Sequence, residues 1–429
     1  MNPRAAAHRI LAETRQGSFA DQVAERVLPL VAQRDRGLAL EIAYGCLRLR
    51  ARLDRRIEAC TDRPLKRIEA EVLDWLRSGT YELTELRTPS HAAVNETVKQ
   101  ARRAGSGAGT GFLNAVLRAV ASDESDPFPD AREDPVGHMS THGSHPEWLV
   151  RRWLERWSKH EVSALINHGN RPPPVVVRLI ADLPPDALAA VARDGVEVAA
   201  LPPWPRSYRL ERGTPVEALE RLPAVIQDPA ASAVVDCLGD EIRAPVYDAC
   251  AAPGTKTMGL AARTNGIVVA ADASRRRIGR VRAVAARLGL PVATVVADAR
   301  GPALASAATV LADVPCTGTG VLRRRPDARW RLDRDSLAEL VELQREILDG
   351  CAGIVEEGGT LLYSTCSLES EENEMQVEAF LSRTPGFARD ELRPGDFPNG
   401  CVTPAGDLFV RPWAHDADGS YAARLRRVG

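Results

Sequence analysis

Five short apolar segments in the second half of the chain constrain its fold more than any other feature. They alternate with longer segments of helical periodicity and read APVYDAC, GIVVAADA, PVATVVADA, ATVLADVP and GGTLLYST. Strands that are apolar throughout are buried on both faces, which requires helices on both sides of a parallel sheet. We therefore predict a doubly wound, Rossmann-like α/β domain over residues 236–429.

The first 122 residues have a different pattern, which is typical of an all-α bundle. In RDRGLALEIAYGCLRLRARLDRRI, the apolar residues Leu40, Ala43, Tyr44 and Leu47 recur at helical spacing, while arginines occupy the opposite face. Breaks are expected at the Thr88-Pro89-Ser90 turn and in the glycine-rich segment GSGAGTG. The pattern predicts a helical domain over residues 1–122.

Two shorter regions lie between these domains. Residues 123–145 are polar and rich in Pro and Gly, which predicts a mobile linker. The linker holds His138, His142 and His145 without the Cys or carboxylate spacing of a metal site, and no metal is expected. In residues 146–235, the segments PVVVRLI, PDALAAVARDG and VEVAALP predict a small α+β subdomain of strand, helix and strand.

The overall composition excludes several classes of protein. At 429 residues the chain is long enough for two or three domains. No apolar run approaches the ~18–20 residues that span a bilayer, and the N-terminus lacks the apolar region of a secretory signal. The eight cysteines form no CxxC pair, which argues for a reducing compartment and against disulfides or zinc. We expect a cytoplasmic protein.

Arginine dominates the basic residues, since only four of the 56 are lysines. Residues 1–120 hold 20 basic against 14 acidic residues. The guanidinium group suits phosphate, so the run RLRARLDRR is either an ordinary solvated helix face or a patch that faces RNA. Four further arginines could contact RNA phosphates or order a loop of the site: Arg323, Arg324, Arg325 and Arg329.

Two cysteines occupy positions where α/β proteins bind ligands. Cys316 and Cys366 each follow an apolar segment and begin a turn of small polar residues. The carboxyl ends of parallel strands form the mouth of the sheet. We therefore expect the two thiols to share one site that uses sulfur chemistry.

The loop after the first predicted strand indicates the cofactor. VYDAC runs into AAPGTKT, which has a single glycine, Gly254, instead of the G-x-G-x-x-G that accompanies a pyrophosphate. The next strand ends at Asp272, where a carboxylate suits ribose hydroxyls, and the third ends at Asp298, which suits an adenine edge. S-adenosylmethionine has ribose and adenine but no phosphate, and it fits this pattern.

Three motifs resemble those of a known family. DACAAPGTKT, DVPCTGTGVLRRRPDARW and YSTCSLESEENE are similar to the signature motifs of the RNA cytosine-5 methyltransferases of the Sun/NOL family, and QDPAAS resembles a further family segment. The helical region resembles the NusB RNA-binding fold in RDRGLALEIAYGCLR, AVNETVKQARR and GFLNAVLR. Together the two halves resemble the bacterial 16S rRNA cytosine-5 methyltransferases with a fused NusB-like domain. Thr255 departs from the family pattern, in which a second glycine is usual.

The resemblance implies a role for each site residue. Cys366 is expected to attack C6 of the cytosine and Cys316 to assist release of the covalent product, with Lys256 helping the nucleophile and Asp313 contacting N3 of the ring. It implies a class I methyltransferase domain whose S-adenosylmethionine contacts are Cys250, Ala251, Ala252, Pro253, Gly254, Thr255, Lys256, Asp272, Arg277, Asp298 and Asp313.

The expected partner is ribosomal RNA, and neither DNA nor a membrane is expected. A base inside a duplex cannot reach two thiols at strand ends, so the target cytosine must be unpaired or flipped out. We expect a monomer. Two alternatives stay open, namely the same chemistry on tRNA and a non-catalytic RNA-binding or antitermination factor. A thiol oxidoreductase or cysteine protease is disfavoured, because no CxxC occurs and no histidine has the motif context of a base.

Overall fold

A computed structural model describes residues 1–86, 88–106, 109–184 and 186–429. The contacts divide the chain into two compact units. One comprises residues 1–172 and 322–331, and the other comprises residues 173–321 and 332–429. None of the described helices combines the length and the hydropathy that are needed to cross a membrane.

The first unit is helical, as predicted. Its described α-helices are α1 (Pro3–Arg15), α2 (Ala20–Val27), α3 (Arg36–Arg48), α4 (Arg50–Ala59), α5 (Ala70–Thr84), α6 (Ser90–Arg103), α7 (Thr110–Ser122), α8 (Pro135–Thr141), α9 (Glu147–Arg156) and α10 (Lys159–Gly169). Helices α1, α2 and α3 bury apolar residues, such as Ala6, Ala7 and Ile10 of α1, in a common core. Part of the predicted GSGAGTG break, residues 107 and 108, lies outside the described residues.

The prediction of a mobile linker at residues 123–145 is wrong for its second half. Helix α8 lies there, with Asp134 as its N-cap accepting a hydrogen bond from the Gly137 N–H group, and Ser144 and His145 are buried. No group of three or more His, Cys, Asp or Glu side chains in the described parts of the chain could hold a metal ion.

Two of the arginines that follow Cys316, Arg323 and Arg329, are buried in the first unit. Arg329 is 0% exposed, and its guanidinium donates to the backbone oxygens of Arg48, Ser144 and Gly169. Arg323 is also buried, and its Nη1 atom lies 2.7 Å from Nε2 of His168. The prediction that these arginines contact RNA phosphates is therefore wrong for Arg323 and Arg329, because both side chains are buried within the helical unit.

The second unit has two sheets. Its described helices are α11 (Ala187–Arg193), α12 (Pro215–Arg221), α13 (Pro229–Asp236), α14 (Thr255–Ala261), α15 (Arg275–Leu288), α16 (Arg334–Gly353), α17 (Glu374–Arg383) and α18 (Pro412–His415). Its described strands are β1 (Val176–Leu179), β2 (Glu197–Ala200), β3 (Ser207–Arg212), β4 (Ala224–Ile226), β5 (Val246–Asp248), β6 (Val268–Asp272), β7 (Val292–Val296), β8 (Ala307–Asp313), β9 (Val355–Thr365), β10 (Phe387–Arg389), β11 (Leu408–Val410) and β12 (Ser420–Arg427).

The smaller sheet is antiparallel, with the order β2-β3-β1-β4 in the described residues. The predicted strand-helix-strand unit is present as β1, α11 and β2, although Pro185, at the start of the predicted helix, lies outside the described residues. Strands β3 and β4 and helix α12 complete this α+β unit, and the sequence segments quoted above did not include them.

The larger sheet confirms the doubly wound prediction. Its order is β10-β12-β9-β8-β5-β6-β7 with β11 beside β12, and β7, β6, β5, β8 and β9 are parallel to one another. Helices α13 and α14 cover one face, and α16 and α17 cover the other. The strands β10, β11 and β12 pair antiparallel at one edge, so the sheet is mixed. All five predicted strands end at the same edge, where their carboxyl-terminal loops meet.

Candidate active site

The two cysteine motifs meet at the carboxyl ends of β8 and β9. These strands are neighbours, with Asp313 opposite Ser364, so the chain leaves both strands at the same place. The Sγ atoms of Cys316 and Cys366 lie 3.3 Å apart, and the N–H group of Cys366 donates to Sγ of Cys316 at 3.3 Å. Both side chains are partly exposed, so a substrate can reach them. The structure thus brings together the two thiols that the sequence placed in one site.

The two thiols are not equivalent. The hydrogen bond to Cys366, followed by burial, raises the pKa of Cys316 well above its usual value. Cys316 is therefore a thiol at neutral pH, and its S–H group can donate to Sγ of Cys366. A protonated Cys316 is compatible with negative charge on Cys366.

A lysine and an aspartate form an ion pair in the same unit. Nζ of Lys256, in the first turn of α14, lies 2.8 Å from Oδ2 of Asp313 at the end of β8. Burial alone would lower the pKa of Lys256, but the charge and hydrogen bond of Asp313 raise it, and negative charge on Cys366 contributes in the same direction. The ammonium group is therefore stable beside the thiol site.

Asp313 has a second partner that the sequence analysis missed. The hydroxyl of Ser364 donates to Oδ1 of Asp313 at 2.7 Å, so both carboxylate oxygens accept a hydrogen bond. An ionised carboxylate offers about four lone-pair positions and can accept a further hydrogen bond. The position of Ser364 inside YSTCS was the available signal, because it directly precedes the end of the strand beside β8.

The loop between β5 and α14 contains the predicted cofactor residues from Cys250 to Gly254, and Thr255 begins α14. Gly254 adopts φ +107°, and a Cβ atom there would lie 3.1 Å from Cα of Val281 in α15. The glycine is thus required both by its left-handed backbone and by close packing of the helix. Thr255 accepts a hydrogen bond from Nε2 of Gln227, which gives its hydroxyl a partner. Cys250 packs against the core, and burial raises its pKa well above the usual value.

The two other predicted carboxylates differ in their surroundings. Asp272, at the end of β6, is 4% exposed and accepts hydrogen bonds from the N–H of Ser274 and from Nε of Arg277. Asp298 is exposed, and both of its oxygens accept from Arg300. Asp272 is thus held at the mouth of the sheet, whereas an adenine contact by Asp298 would share that carboxylate with Arg300.

A buried polar network behind the thiols was also missed. Glu372 is fully buried and accepts hydrogen bonds from Thr317 and Gln344, and Asn373 bonds to Thr365 and to the backbone of Ser367. Glu372 belongs to the acidic segment ESEENE, whose composition is typical of a solvated surface. Nothing in the sequence distinguishes it from its acidic neighbours.

Family models match three regions of the chain. The model described as 16S rRNA methyltransferase RsmB/F matches residues 237–426, the NusB family model matches residues 1–122, and a ferredoxin-like domain of the RsmF/B-like methyltransferases matches residues 145–217.

Curated relatives match along the whole chain. The ribosomal RNA small subunit methyltransferase B of Pseudomonas putida is 34% identical, covering 100% of this chain and 99% of the relative. The protein of the same name from Cronobacter sakazakii is 33% identical, covering 92% and 91%. The chain belongs to the RsmB/F family of methyltransferases. The resemblance to this family and the NusB-like character of the N-terminal region are thereby confirmed.

Solved structures agree with this fold. The crystal structure of PH0851 has a TM-score of 0.81 at 23% identity and covers 100% of this chain and 99% of its own. A methyltransferase homologue from Pyrococcus horikoshii has a TM-score of 0.56 at 22% identity, covering 67% of this chain and 96% of its own. At this identity the likeness supports the fold alone.

The methyl donor of this RsmB/F methyltransferase is S-adenosylmethionine. The residues at the mouth of the sheet fit that molecule. Asp272 presents a buried carboxylate, an acceptor that matches the hydroxyl donors of a ribose. The single glycine of the loop, Gly254, packs closely against Val281. The loop has none of the further glycines that a pyrophosphate site requires.

Proposed function

We propose that this chain methylates C5 of a cytosine in 16S ribosomal RNA through a covalent bond between Cys366 and C6 of the base. The observation that carries the proposal is the pair of thiols 3.3 Å apart at the ends of adjacent strands, in a domain of the RsmB/F family. One sulfur can bond to the base while the other stays within reach of the same ring.

The chemistry explains why a thiolate is needed. C5 of cytosine is a poor nucleophile, and addition of the Cys366 thiolate to C6 gives C5 enamine character. S-adenosylmethionine supplies the methyl group that C5 then takes up. The donor leaves as S-adenosylhomocysteine. Loss of the C5 proton to solvent lets the C5–H electron pair form the C5–C6 double bond, and the electron pair of the C6–S bond returns to Cys366 as the thiolate. The base leaves with one new C–C bond, and the enzyme is unchanged.

Lys256 and Asp313 support this addition. The Lys256 ammonium favours negative charge on Cys366, because its own pKa responds to that charge. Asp313 is fixed by Lys256 and Ser364 and keeps lone pairs for a hydrogen bond to protonated N3 of the ring. Protonation of N3 withdraws electrons from C6 and stabilises the adduct.

Cys316 serves the release step. Its raised pKa keeps it in the thiol form, in contact with the sulfur that must leave the base. A protonated neighbour stabilises the departing Cys366 thiolate by donating a hydrogen bond to it. Loss of Cys316 should therefore slow release more than attack.

The cofactor is assigned to the loop after β5 and to the ends of β6 and β7. Asp272 would bind the ribose hydroxyls, with Arg277 holding that carboxylate in place. The loop residues from Cys250 to Lys256 would face the remainder of the molecule, while Asp298 would approach the adenine. These assignments follow the strand order of a doubly wound sheet.

RNA binding is assigned to the N-terminal helical domain and the small α+β subdomain. We place the domain boundaries at 1–122 for the NusB-like domain, 123–145 for the connecting segment, 146–235 for the α+β subdomain and 236–429 for the methyltransferase domain. The family matches at 1–122, 145–217 and 237–426 support this division. The relatives' names support ribosomal RNA as the substrate. We further propose that the protein is a cytoplasmic monomer that acts on an unpaired or flipped cytosine.

Bisulfite sequencing tests the substrate. We expect one cytosine of 16S ribosomal RNA to lose its methylation in cells that lack this protein, and to regain it with the wild-type chain but not with Cys366→Ala. Loss at a tRNA position instead would favour the tRNA alternative. Unchanged methylation in both RNAs would contradict the proposal.

A further inference from the structure

A buried carboxylate lies behind the two-thiol site. Glu372 is 0% exposed, and its Oε1 accepts hydrogen bonds from the Thr317 N–H group and from Nε2 of Gln344, both at 2.8 Å. Its Oε2 accepts from the Thr317 hydroxyl. Burying a carboxylate is costly unless donors surround it, and three donors converge on this one.

These bonds hold the backbone on both sides of Cys316. The Thr317 N–H group follows Cys316 directly, and Nε2 of Gln344 also donates to the carbonyl oxygen of Pro315 at 2.9 Å. Glu372 itself is fixed to β9, because the hydroxyl of Tyr363 donates to its backbone oxygen at 2.7 Å. The position of Cys316 is thus tied to the strand that leads to the second thiol.

The next residue in sequence performs the same task for Cys366. Asn373 accepts a hydrogen bond from the Thr365 hydroxyl at 2.6 Å and donates to the backbone oxygen of Ser367 at 3.0 Å. Thr365 and Ser367 flank Cys366. Two consecutive buried residues, Glu372 and Asn373, therefore hold the flanks of the two thiols.

We propose that Glu372 is a positioning residue that sets the separation of the two thiols and thereby enables release of the covalent product. The inference rests on the proposed function, since it concerns the step assigned to Cys316. Glu372 contacts neither thiol through a hydrogen bond in the structure and acts through Thr317 and Gln344. The pKa of Cys316 is raised chiefly by the hydrogen bond to Cys366 and by burial, and the negative charge of Glu372 adds to this shift.

The test compares Glu372→Gln with a matched control, Glu378→Gln. Glu378 lies six residues further along, on the exposed surface of α17, and undergoes the same loss of charge. We expect Glu372→Gln to lower kcat about 10- to 100-fold with KM for a 16S rRNA fragment within about twofold, because misplacing a reacting group costs rate rather than binding. It should also accumulate an SDS-stable protein–RNA complex, whereas Glu378→Gln should match the wild type.

A readout at Cys316 separates positioning from a general structural role. In the free enzyme, the rate at which iodoacetamide alkylates Cys316 should begin to rise at a lower pH in Glu372→Gln than in the wild type. The reason is that this variant lacks the nearby negative charge. A general loosening of the fold would expose buried cysteines such as Cys46 and Cys237 equally. A shifted pH profile for Cys316, with Cys46 and Cys237 still protected from alkylation, supports the inference.

A second variant covers the case in which Glu372→Gln does not fold. Gln344→Met removes the side-chain donor shared by Glu372 and Pro315 while keeping the side-chain length, and it should also lower kcat and accumulate the complex. Wild-type kcat without complex accumulation in whichever of the two variants folds overturns the inference. The proposed function fails instead if the wild type forms no 5-methylcytosine and the Cys316→Ala variant forms no covalent complex with RNA.

Discussion

Cys316 and Cys366 are fifty residues apart in sequence, yet their Sγ atoms lie 3.3 Å apart. The parallel pairing of β8 with β9 brings their loops together, and the hydrogen bond from the Cys366 N–H group to Sγ of Cys316 fixes the second loop on the first. The two sulfurs therefore lie in one candidate site.

Removal of the ammonium group beside the thiols should slow the attack. Lys256→Met removes the ion-pair partner of Asp313 and a positive charge that acts on Cys366, so we expect a loss of activity of about tenfold or more at neutral pH. The loss should shrink as the pH rises and the thiolate forms unaided. The pH–rate profile measures this, with Arg393→Met as the control, since Arg393 is an exposed cation of the methyltransferase domain. A uniform loss at all pH values would contradict the role of the charge.

The two strand-end aspartates should differ in their effect on the cofactor. Asp272→Asn removes a buried carboxylate held for the ribose, and we expect affinity for S-adenosylhomocysteine to fall about 10- to 100-fold, the usual value for a hydrogen bond to a charged group. Asp298→Asn should have a smaller effect, because that carboxylate is exposed and bound to Arg300. Isothermal titration calorimetry compares them, and a larger loss from Asp298→Asn would reverse the assignment.

Stability should depend on pH through Asp248. Burial raises its pKa to about 7, far above the usual value of an aspartate. The folded protein therefore binds this proton more tightly than the unfolded chain, so the stabilisation is complete below about pH 4 and is lost as the pH rises through 7. Asp248→Asn keeps an acceptor for the Thr257 hydroxyl without the charge.

We accordingly expect the thermal midpoint of Asp248→Asn to rise relative to wild type between pH 5 and pH 8. The shift should correspond to a free energy on the order of a few kcal/mol. Differential scanning calorimetry checks this, and Asp240→Asn, at an exposed position, is the control. A constant difference over this range would show that Asp248 does not titrate there.

The buried Arg329 should stabilise the helical unit rather than bind RNA. Arg329→Met leaves the carbonyl oxygens of Arg48, Ser144 and Gly169 without this donor, and buried unsatisfied acceptors cost about 1–3 kcal/mol each. Thermal unfolding should occur several degrees lower. Arg325→Met, at an exposed position four residues earlier, should leave the midpoint nearly unchanged. Equal midpoints for both variants would contradict this account.

The large sheet could be predicted from the sequence because its parallel strands β5, β6, β8 and β9 are largely buried, whereas the edge strand β7 is partly exposed. Val246, Val268 and Val310 belong to runs without polar interruptions, and such runs have few alternative structures. Strand β3, SYRLER, alternates polar residues on a largely exposed surface and is short, so its composition resembles that of a loop. Its place in the sheet depends on pairing with β2, across a short loop, and with β1, which is more distant in sequence.

The sequence indicated those residues of the candidate site whose type is chemically distinctive. It did not indicate the residues that matter only because the tertiary structure buries them. A cysteine at a strand end has chemical meaning in the sequence alone, as Cys316 and Cys366 illustrate. Glu372 and Arg329 belong to charged runs that are typical of solvated surfaces, and only the tertiary structure places them inside. The sequence did not predict helix α8 for a related reason, because only a few residues of this polar segment are buried.

The central claim is that Cys366 attacks the base and Cys316 releases it, and trapping of the covalent complex tests it most directly. Cys316→Ala, Cys366→Ala and the double variant are incubated with a 16S rRNA fragment and S-adenosylmethionine, and the products are separated under denaturing conditions. We predict a protein–RNA complex with Cys316→Ala alone, with the nucleotide mapped by mass spectrometry to the peptide that contains Cys366. A complex formed by Cys366→Ala, with the nucleotide on Cys316, would contradict the account.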